Sequence, residues 1–407
     1  MLYYRKVHIG NVVSYMERSQ AAEPCIYCLV NDLDLQKIIV EKEKNMKRFL
    51  AMVLILVMCA ALVGCASKAP AESAPPADAP ADAPTDAPAA EDSISLRLAF
   101  VATPGNPHYD ACVYFADRVA ELSEGKLTIE LMGSGVLGDY TATFNEMVNG
   151  TLEMCWDSVV CDYDRSLELA AAPYLVSNWA QVKEAYTTDS WLGKFIADRY
   201  LNLGVRVIGY IPGGFFVVAG NNVGDTSTLF DLDVHQDAIC RVPPMNISVL
   251  TMEAMNFDTT AIPYGDLYTA LQTGVADCWM GGGPSSNYVN FRDVIKYCVC
   301  YNYMNEIYPL SISEEVYNTL SPELQEVLIQ AGQDATAKAY ELCYEAEEGY
   351  YKQLEDAGIE VIKSDAETIN HIADVVRAAS WPSLEEVCGA EVVEELYAFA
   401  EEMNKIS

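Results

Sequence analysis

The amino-acid sequence predicts an α/β fold made of two lobes, and three observations support that prediction. The chain has 407 residues, which is more than one hydrophobic core normally serves. Two segments, Phe144–Trp156 and Leu267–Trp279, share the order helix, glycine, strand and terminal Cys-Trp. A helix predicted from Pro322 to Ala357 would span roughly 54 Å at 1.5 Å per residue, more than the diameter of a small domain. We therefore expect this long helix to lie across both lobes.

Residues 1–45 fit no fold, because they mix charges with short apolar runs. Cys25 and Cys28 form a C-x-x-C, a spacing found in redox and zinc sites. A secretory signal must be near the N-terminus, and one begins at Met46. We therefore expect translation to start at Met46 and residues 1–45 to be upstream sequence wrongly joined to the gene. The alternative is a genuine cytosolic leader before a membrane anchor.

Residues 46–64 have the composition of a secretory signal peptide. A positively charged start precedes an apolar run from Phe49 to Val63, which is shorter than the roughly 20 residues that a membrane-spanning helix needs. The run ends in Leu-Val-Gly before Cys65, and this order resembles the lipobox of bacterial lipoproteins. The resemblance implies that Cys65 becomes the lipid-modified first residue of the mature chain.

Residues 65–92 are predicted to form a disordered linker rich in Pro, Ala and Asp. This composition cannot bury enough apolar area to order itself, and the prolines favour an extended chain. At about 3.1 Å per residue, the linker could lift the folded part some tens of ångströms off a membrane. We expect a spacer between the lipid anchor and the folded part, and a role in partner recognition is the less favoured alternative.

The exported part is strongly acidic. Residues 65–407 contain 17 Lys and Arg against 53 Asp and Glu, so we expect no nucleic-acid partner. Nine cysteines follow Cys65, an odd number without C-x-x-C spacing, and we expect mostly free thiols. Cys298 and Cys300 would lie on one face of a strand, where small core residues are a better interpretation than a metal site.

From residue 95 onward the pattern alternates strands and helices. Strands are predicted over 95–101 and 126–132, with an amphipathic helix between them. The chain is expected to cross from the first lobe to the second near Gly213 and Gly214, and to return near 301–307. These crossings divide the chain as follows: lobe 1 is 93–213 plus about 303–340, and lobe 2 is 214–302 plus about 341–407.

A glycine motif after the second strand indicates an alternative function. Gly133, Gly135 and Gly138 have the G-x-G-x-x-G spacing, and Asp157 follows about 20 residues later, as in dinucleotide-binding folds. A lone glycine motif is a weak signal, and the helix over 140–149 is short for such a fold. An exported NAD-dependent oxidoreductase therefore remains an alternative, and we expect no cofactor.

One arginine near the middle of the chain is the leading candidate for ligand binding. Ile239–Val242 predicts a strand that Pro243 ends, and Pro263 begins an amphipathic helix that carries aromatic residues. After that helix a second strand ends at Trp279. Arg241 thus lies where α/β sheets usually bind small ligands.

The chemistry of arginine suits an acidic ligand. A guanidinium meets a carboxylate with two parallel charge-assisted hydrogen bonds, each worth about 1.5 to 3 kcal/mol, and lysine lacks that geometry. The alternative for Arg241 is a structural ion pair with one of the many carboxylates. We favour ligand binding because Arg241 lies beside two strand ends.

The same stretch resembles a known protein family. The matching residues are Arg241-Val242-Pro243, Ile262-Pro263-Tyr264, Leu267-Tyr268, Ala270-Leu271-Gln272-Thr273-Gly274-Val275 and Asp277. They resemble the DctP-type solute-binding subunits of tripartite ATP-independent periplasmic (TRAP) transporters, from about Leu96 to the C-terminal helices. The resemblance implies a periplasmic-binding-protein-like fold that closes by a hinge, with Arg241 as the main carboxylate ligand. It also implies TRAP membrane permease subunits as partners.

Other ligand contacts follow from this resemblance, and several depart from the family pattern. Tyr264 falls where an aromatic residue packs against the substrate, while Tyr140 and Ser158 fall where acids often contact polar groups. A second family arginine is replaced by Phe215 or Phe216. Residues 278–281 read Cys-Trp-Met-Gly in place of the usual Gln-Glu-Asn-Pro. Compared with the family pattern, this site keeps one cation and gains apolar surface. We therefore expect the ligand to be a monocarboxylate with an apolar or aromatic body.

The predicted site also includes tryptophans at the two strand ends. Because Trp156 and Trp279 end equivalent strands of the two lobes, we expect at least one of them to face a shared cleft, although a single buried indole is usually a core residue. The predicted ligand-binding set is Arg241, Tyr264, Trp279, Phe216, Tyr140, Ser158, Trp156 and Asn246.

Signals for catalysis are weak. Only His108, His235 and His371 follow Cys65, and neither G-x-S-x-G nor H-E-x-x-H occurs. We therefore expect no enzyme and no metal site, but an extracytoplasmic, lipid-anchored monomer that captures a small organic acid. A binding protein for an ATP-driven importer is the second alternative.

Overall fold

The computed structural model describes residues 93–406. The predictions for residues 1–45, 46–64 and 65–92, including lipidation of Cys65, lie outside these described residues. Between residues 93 and 406, no helix combines the length and the apolar composition needed to cross a membrane.

Strands and helices alternate through the described part of the chain. The strands are β1 (Ile94–Ala99), β2 (Leu127–Met132), β3 (Met154–Trp156), β4 (Val205–Phe215), β5 (Val218–Gly220), β6 (Gln236–Val242), β7 (Phe257–Ala261), β8 (Cys278–Met280), β9 (Tyr297–Val299), β10 (Asn305–Ser313) and β11 (Glu360–Ile362). The helices are α1 (Pro107–Leu122), α2 (Tyr140–Val148), α3 (Trp179–Ala185), α4 (Trp191–Asn202), α5 (Asn246–Ala254), α6 (Tyr264–Thr273), α7 (Pro284–Ser286), α8 (Glu314–Thr319), α9 (Pro322–Asp356), α10 (Ala366–Ser380), α11 (Glu385–Cys388) and α12 (Ala390–Met403).

The strands form two mixed sheets, each the centre of one lobe. The sheet of the first lobe has the order β2-β1-β3-β10-β4, and that of the second lobe has the order β11-β9-β5-β8-β6-β7. Each sheet contains three parallel strands with the earliest strand in the middle, β2-β1-β3 and β7-β6-β8. The repeated sequence pattern therefore corresponds to two β-α-β-α-β units of one topology, and the predicted two-lobed α/β fold is confirmed.

Two neighbouring connections join the sheets. The chain passes to the second sheet between β4 and β5, and returns between β9 and β10. The backbone N–H of Phe216 donates to the carbonyl oxygen of Met304 at 2.7 Å, and the rings of Phe216 and Tyr303 meet edge to face. Motion at these connections remains a prediction.

The long helix α9 begins close to where the sequence predicted. The Ser321 hydroxyl accepts from the backbone N–H of Leu324 at 3.3 Å, and Pro322 occupies the first turn. Its N-terminal half packs in the core of the first lobe, through residues such as Leu328, whereas Leu354 near its end packs in the second lobe. The helix therefore contacts both lobes, as expected.

The C-terminal helix differs from the expectation that residues 341–407 belong to lobe 2. Helix α10 does pack on the second lobe, but α12 packs against α3 and α4 of the first lobe. The Trp191 indole nitrogen donates to Glu395 at 2.8 Å, and the Trp191 ring lies 5.3 Å from that of Phe399. The apolar periodicity of α12 predicted a helix correctly, but periodicity does not identify the surface that a helix covers.

The cysteines of the folded part are unpaired. All nine, from Cys112 to Cys388, have free thiols, and Cys298 and Cys300 are buried core residues of the second lobe.

The close contact between α9 and β4 depends on a glycine. A Cβ atom at Gly332 would lie 2.3 Å from the carbonyl oxygen of Ile208. We expect Gly332→Ala to lower the free energy of unfolding by about 1 to 3 kcal/mol, because the helix must move off the strand. Chemical denaturation measures this change.

Gly349 in the same helix supplies the matched control. It is exposed, and a Cβ there would have no heavy atom within 4 Å. Gly349→Ala should stabilise the protein by roughly 0.5 to 1 kcal/mol through helix propensity alone. Equal effects of the two substitutions would contradict the close-contact argument.

Candidate functional site

A cavity of about 110 Å³ lies between the two lobes, at the carboxyl ends of their parallel strands. The loops after β1 and β3 line it from the first lobe, and the ends of β6 and β8 line it from the second. The connections between the lobes and α9 complete the wall. Pockets for drug-sized molecules are about 300 to 1,000 Å³, so this cavity suits a small metabolite and is too small for a dinucleotide.

The topology of the second sheet explains why the cavity lies there. Strand β6 pairs with β7 on one side and with β8 on the other, so the connection through α5 leaves β6 toward β7, and the connection through α6 leads from β7 back across β6 to β8. A crevice opens where such connections diverge. Arg241 and Trp279 are register neighbours on β6 and β8 at this point.

Arg241 is a buried cation with an unused donor. Its side chain is 3% exposed, and Nε donates to the carbonyl oxygen of Ile262 at 2.8 Å. Nη2 is buried without a hydrogen-bond partner, and no carboxylate of residues 93–406 forms an ion pair with the guanidinium. Burial lowers the pKa of Arg241, but an arginine stays charged. A buried donor of this kind is costly unless a ligand accepts its hydrogen bond.

Tyrosines from both lobes surround this guanidinium. Tyr140 opens α2 in the first lobe and Tyr264 opens α6 in the second, with their ring centroids 6.1 Å apart. Burial raises the pKa of Tyr140, and it raises that of Tyr264 to about 12, so both hydroxyls are neutral at physiological pH.

Trp279 presents its ring to the cavity while its nitrogen is held by the protein. The indole nitrogen donates to Oδ1 of the fully buried Asn287 at 3.1 Å. A Cβ atom at Gly281 or Gly282 would lie 2.6 or 2.7 Å from the Trp279 ring, and both residues have positive φ angles. Gly281 ends the stretch 278–281 that departs from the family pattern, Gly282 follows it directly, and the two glycines make room for the indole.

Two carboxyl groups of the first lobe also line the cavity. Asp157 follows β3, and its Oδ2 accepts from the backbone N–H of Val101 at 2.7 Å. Glu306, near the start of β10, lines the cavity together with Ser158 and Tyr308. Burial raises the pKa of Asp157 well above its usual value and raises that of Glu306 to about 7.

Sequence reasoning missed Glu306, because acids are too abundant in this chain for one of them to be informative. The available signal was an acid within a strand whose other residues are mostly buried. Asp157 was noted only as part of the glycine motif. That motif does not reach the cavity, since Gly133, Gly135 and Gly138 are not among its lining residues.

Six of the eight predicted site residues line the cavity: Arg241, Tyr264, Trp279, Phe216, Tyr140 and Ser158. Trp156 does not, because its indole is fully buried in the core and donates to the carbonyl oxygen of Tyr308 at 3.0 Å. Asn246 is exposed at the start of α5, and its neighbours Met245 and Ser248 line the cavity instead. Equivalent positions in the two lobes therefore differ in role.

Comparison with known families agrees with this architecture. The sequence profile of DctP, described as bacterial extracellular solute-binding protein, family 7, matches residues 98–381. This chain belongs to that family. The resemblance to TRAP solute-binding subunits is thereby confirmed. Because the family consists of binding proteins, the chain is a solute-binding protein and not an enzyme.

Individual DctP-family proteins are distant in sequence but similar in structure. The 2,3-diketo-L-gulonate-binding periplasmic protein YiaO of Escherichia coli is 23% identical over 272 residues, covering 66% of this chain and 80% of that protein. The galactonate complex of the sugar acid binding protein DctPAm from Advenella mimigardefordensis gives a TM-score of 0.70 at 22% identity, over 76% of this chain and 99% of that one. A TRAP protein from Desulfovibrio salexigens with bound orotic acid gives 0.69 at 19% identity, over 76% and 98%.

The packing of Trp279 predicts a specific effect of one methyl group. Gly282 has a φ of +65°, so Gly282→Ala combines left-handed backbone strain of about 1 to 2 kcal/mol with displacement of the indole. We expect thermal unfolding to show that Gly282→Ala loses more stability than the backbone strain alone would cost. The tryptophan fluorescence maximum should also shift.

Gly204→Ala is the control for backbone strain. Gly204 has a φ of +75°, and a Cβ there would have no heavy atom within 4 Å. The Gly204→Ala variant should lose only the stability that the backbone strain costs, and its tryptophan fluorescence should equal that of the parent protein. Equal losses in the two variants would show that Trp279 does not depend on Gly282.

Proposed function

We propose that this DctP-family protein captures a small organic acid anion outside the cytoplasm and delivers it to TRAP membrane permease subunits. The observation that carries the proposal is the buried guanidinium of Arg241, whose Nη2 has no partner at the wall of a cavity between two lobes. The binding energy of an anion must come from such a local cation, because the surface of the exported part is strongly acidic.

The hydrogen bonding of Arg241 fixes how a carboxylate would bind. Nε is held by the carbonyl oxygen of Ile262, so the guanidinium plane is oriented before any ligand arrives. The end formed by Nη1 and Nη2 remains for the two oxygens of a carboxylate. Pre-orientation lowers the entropic cost of binding.

The charges of the cavity favour a single carboxylate. Arg241 is the one lysine or arginine among the described residues that line it, whereas Asp157, Asp162, Glu306 and Glu347 are acids. A second carboxylate would find no cation and several like charges. Relatives bind acids of both kinds, since 2,3-diketo-L-gulonate, galactonate and orotic acid carry one carboxyl group and the succinate bound by a TRAP protein from Sulfurospirillum deleyianum carries two, so the support for a monocarboxylate is the single cation of this cavity.

The cavity is less apolar than the sequence predicted. Phe216 and Trp279 provide the expected aromatic faces, but the first lobe supplies hydroxyl and carboxyl groups through Ser158, Tyr308 and Glu306. We therefore propose a monocarboxylate whose body meets aromatic rings on one side and hydrogen-bonding groups on the other.

Substitution of Arg241 tests the proposed function. The full chain would first be screened against organic acids by thermal shift, and the best ligand measured by calorimetry. Arg241→Ala should weaken its binding by about 2 to 4 kcal/mol, or about 30- to 1,000-fold, because it removes a bidentate charge-assisted contact. Arg241→Lys should also bind weakly, since an ammonium cannot form two parallel bonds.

Arg292→Ala is the matched control. Arg292 is an exposed cation of the second lobe that donates to backbone carbonyl oxygens and does not line the cavity. It should bind the ligand with the parent affinity. Unchanged affinity in Arg241→Ala would refute the assignment of Arg241.

Membrane attachment is proposed through Cys65, from the sequence alone. Expressed in a bacterial host, the parent protein should incorporate labelled palmitate and sediment with membranes. Cys65→Ala should not incorporate the label, because the residue that carries the lipid is absent. Incorporation of palmitate by Cys65→Ala at the parent level would contradict lipid anchoring at this residue.

A further inference from the structure

Glu306 is a partly buried acid at the candidate site, and the proposed function leaves its protonation state open. It lies on β10 of the first lobe, across the cavity from Arg241 of the second. Tyr308, two residues further along the strand, lines the same cavity, as expected for alternate residues on one face. The fully buried Ile307 between them packs in the core of the first lobe.

The groups around Glu306 leave it without a cation of its own. The hydroxyls of Ser158 and Tyr308 line the cavity with it, and Arg241 favours its ionised form but forms no ion pair with it. The titratable and charged groups that face it from the surrounding elements are Arg241, Asp157, Cys161, Tyr140, Tyr186, Tyr264, Tyr303 and Tyr308. His108 stacks on Tyr308, and burial lowers its pKa to about 4, so this imidazole is neutral.

A ligand carboxylate changes the charge balance of this cavity. Before binding, the positive charge of Arg241 favours the ionised form of Glu306. After binding, the ligand neutralises Arg241, and an ionised Glu306 would face a second negative charge in an enclosed space. Like charges repel more strongly in an enclosed site than in water, so an ionised Glu306 weakens the binding of a carboxylate. Binding therefore favours the protonated form of Glu306.

Protonation also changes which ligands Glu306 can recognise. A protonated carboxyl group carries one O–H donor, and Glu306 lines the cavity, so this O–H can donate to a ligand bound there. An O–H donor requires an acceptor oxygen, which a hydroxy acid or an oxo acid provides and an aliphatic acid lacks. An ammonium group on the ligand would instead need Glu306 ionised.

We propose that Glu306 binds the ligand as a neutral carboxylic acid that donates a hydrogen bond to a hydroxyl or oxo oxygen, so that one proton enters the cavity with each organic anion. This inference rests on the proposed function, since it requires a carboxylate on Arg241. It assigns the ligand to the hydroxy- and oxo-monocarboxylates.

The pH dependence follows from the direction of the pKa shift. Free Glu306 has a pKa raised to about 7 by burial, so below that pH it is already protonated and affinity should not depend on pH. Above pH 7 each binding event must take up a proton, and affinity should fall by up to about tenfold per pH unit. Ligand carboxylates remain ionised over this range, and Tyr264, with a pKa of about 12, remains neutral.

Calorimetry on the full chain, from pH 5.5 to 9 in buffers of different ionisation enthalpy, measures both affinity and proton uptake. The probes are galactonate as a hydroxy acid, 2,3-diketogulonate as an oxo acid, and hexanoate as an acid without an acceptor oxygen. We expect at least one of the first two to bind at least tenfold more tightly than hexanoate. Proton uptake should rise from near zero at pH 5.5 to about one at pH 8.5.

Glu306→Gln separates this inference from the proposed function. The amide keeps an N–H donor in the same place but cannot titrate, so binding at pH 6 should stay within about threefold of the parent and become independent of pH. Glu315→Gln, at an exposed acid of α8 that does not line the cavity, is the control and should retain the pH dependence of the parent. Arg241→Ala should bind none of the three probes tightly. Tight binding of a probe by Arg241→Ala would contradict the proposed function, and not the inference about Glu306.

Several outcomes would overturn the proposal for Glu306. They are a pH dependence that persists in Glu306→Gln, an affinity that rises with pH, and binding of hexanoate as tight as that of both oxygenated acids. An absence of measurable binding for both oxygenated acids would also overturn the assigned ligand class.

A ligand-free measurement provides an independent check. The raised pKa means that the folded chain binds more protons than the unfolded chain between pH 4.5 and about 7. The contribution of Glu306 to stability is therefore fully present below pH 4.5 and is lost as pH rises through 7. The difference in melting temperature between the parent and Glu306→Gln should change across this window, and a constant difference would overturn the proposal.

Discussion

The structure depends on a charge that the protein buries without neutralising. Arg241 lies at the end of β6 with 3% of its surface exposed, one nitrogen bonded to Ile262 and another without a partner. A cation in this position destabilises the unliganded protein, because desolvation is not compensated by an ion pair. The strand ends, the helix starts and the tyrosines around Arg241 form a cavity in which a ligand carboxylate supplies the missing charge.

The duplicated topology explains how the two lobes face each other across one cavity. Each lobe has a β-α-β-α-β unit whose strand order places a crevice at the carboxyl ends of the central strands. When two such units are connected through neighbouring strands, β4 to β5 and β9 to β10, both crevices open toward the same space. The side chains at the strand ends can then diverge, with a cation in one lobe and carboxyl groups in the other.

Much of this arrangement could be predicted from local sequence. Arg241, Tyr264 and the capped start of α9 were identified because proline, glycine and apolar spacing determine where strands and helices begin and end. The role of Trp156 and the lobe that α12 covers were not predictable, because both depend on which surfaces meet in three dimensions. Glu306 was missed for a similar reason, since its pKa reflects burial by residues that are distant in sequence.

The distribution of polar groups gives a physical basis for closure of the lobes around a ligand. Arg241, Tyr264 and Trp279 belong to the second lobe, whereas Ser158 and Glu306 belong to the first. A ligand that contacts both sets binds the closed arrangement better than an open one, and only such differential affinity can shift a conformational equilibrium. The lobes already meet directly at the cavity rim, where the Thr103 hydroxyl donates to Oδ1 of Asn290 at 3.0 Å. Further direct bonds join the lobes, such as that from the backbone N–H of Ile247 to Glu168 at 3.3 Å, and a ligand that contacts both lobes adds its own binding free energy to them.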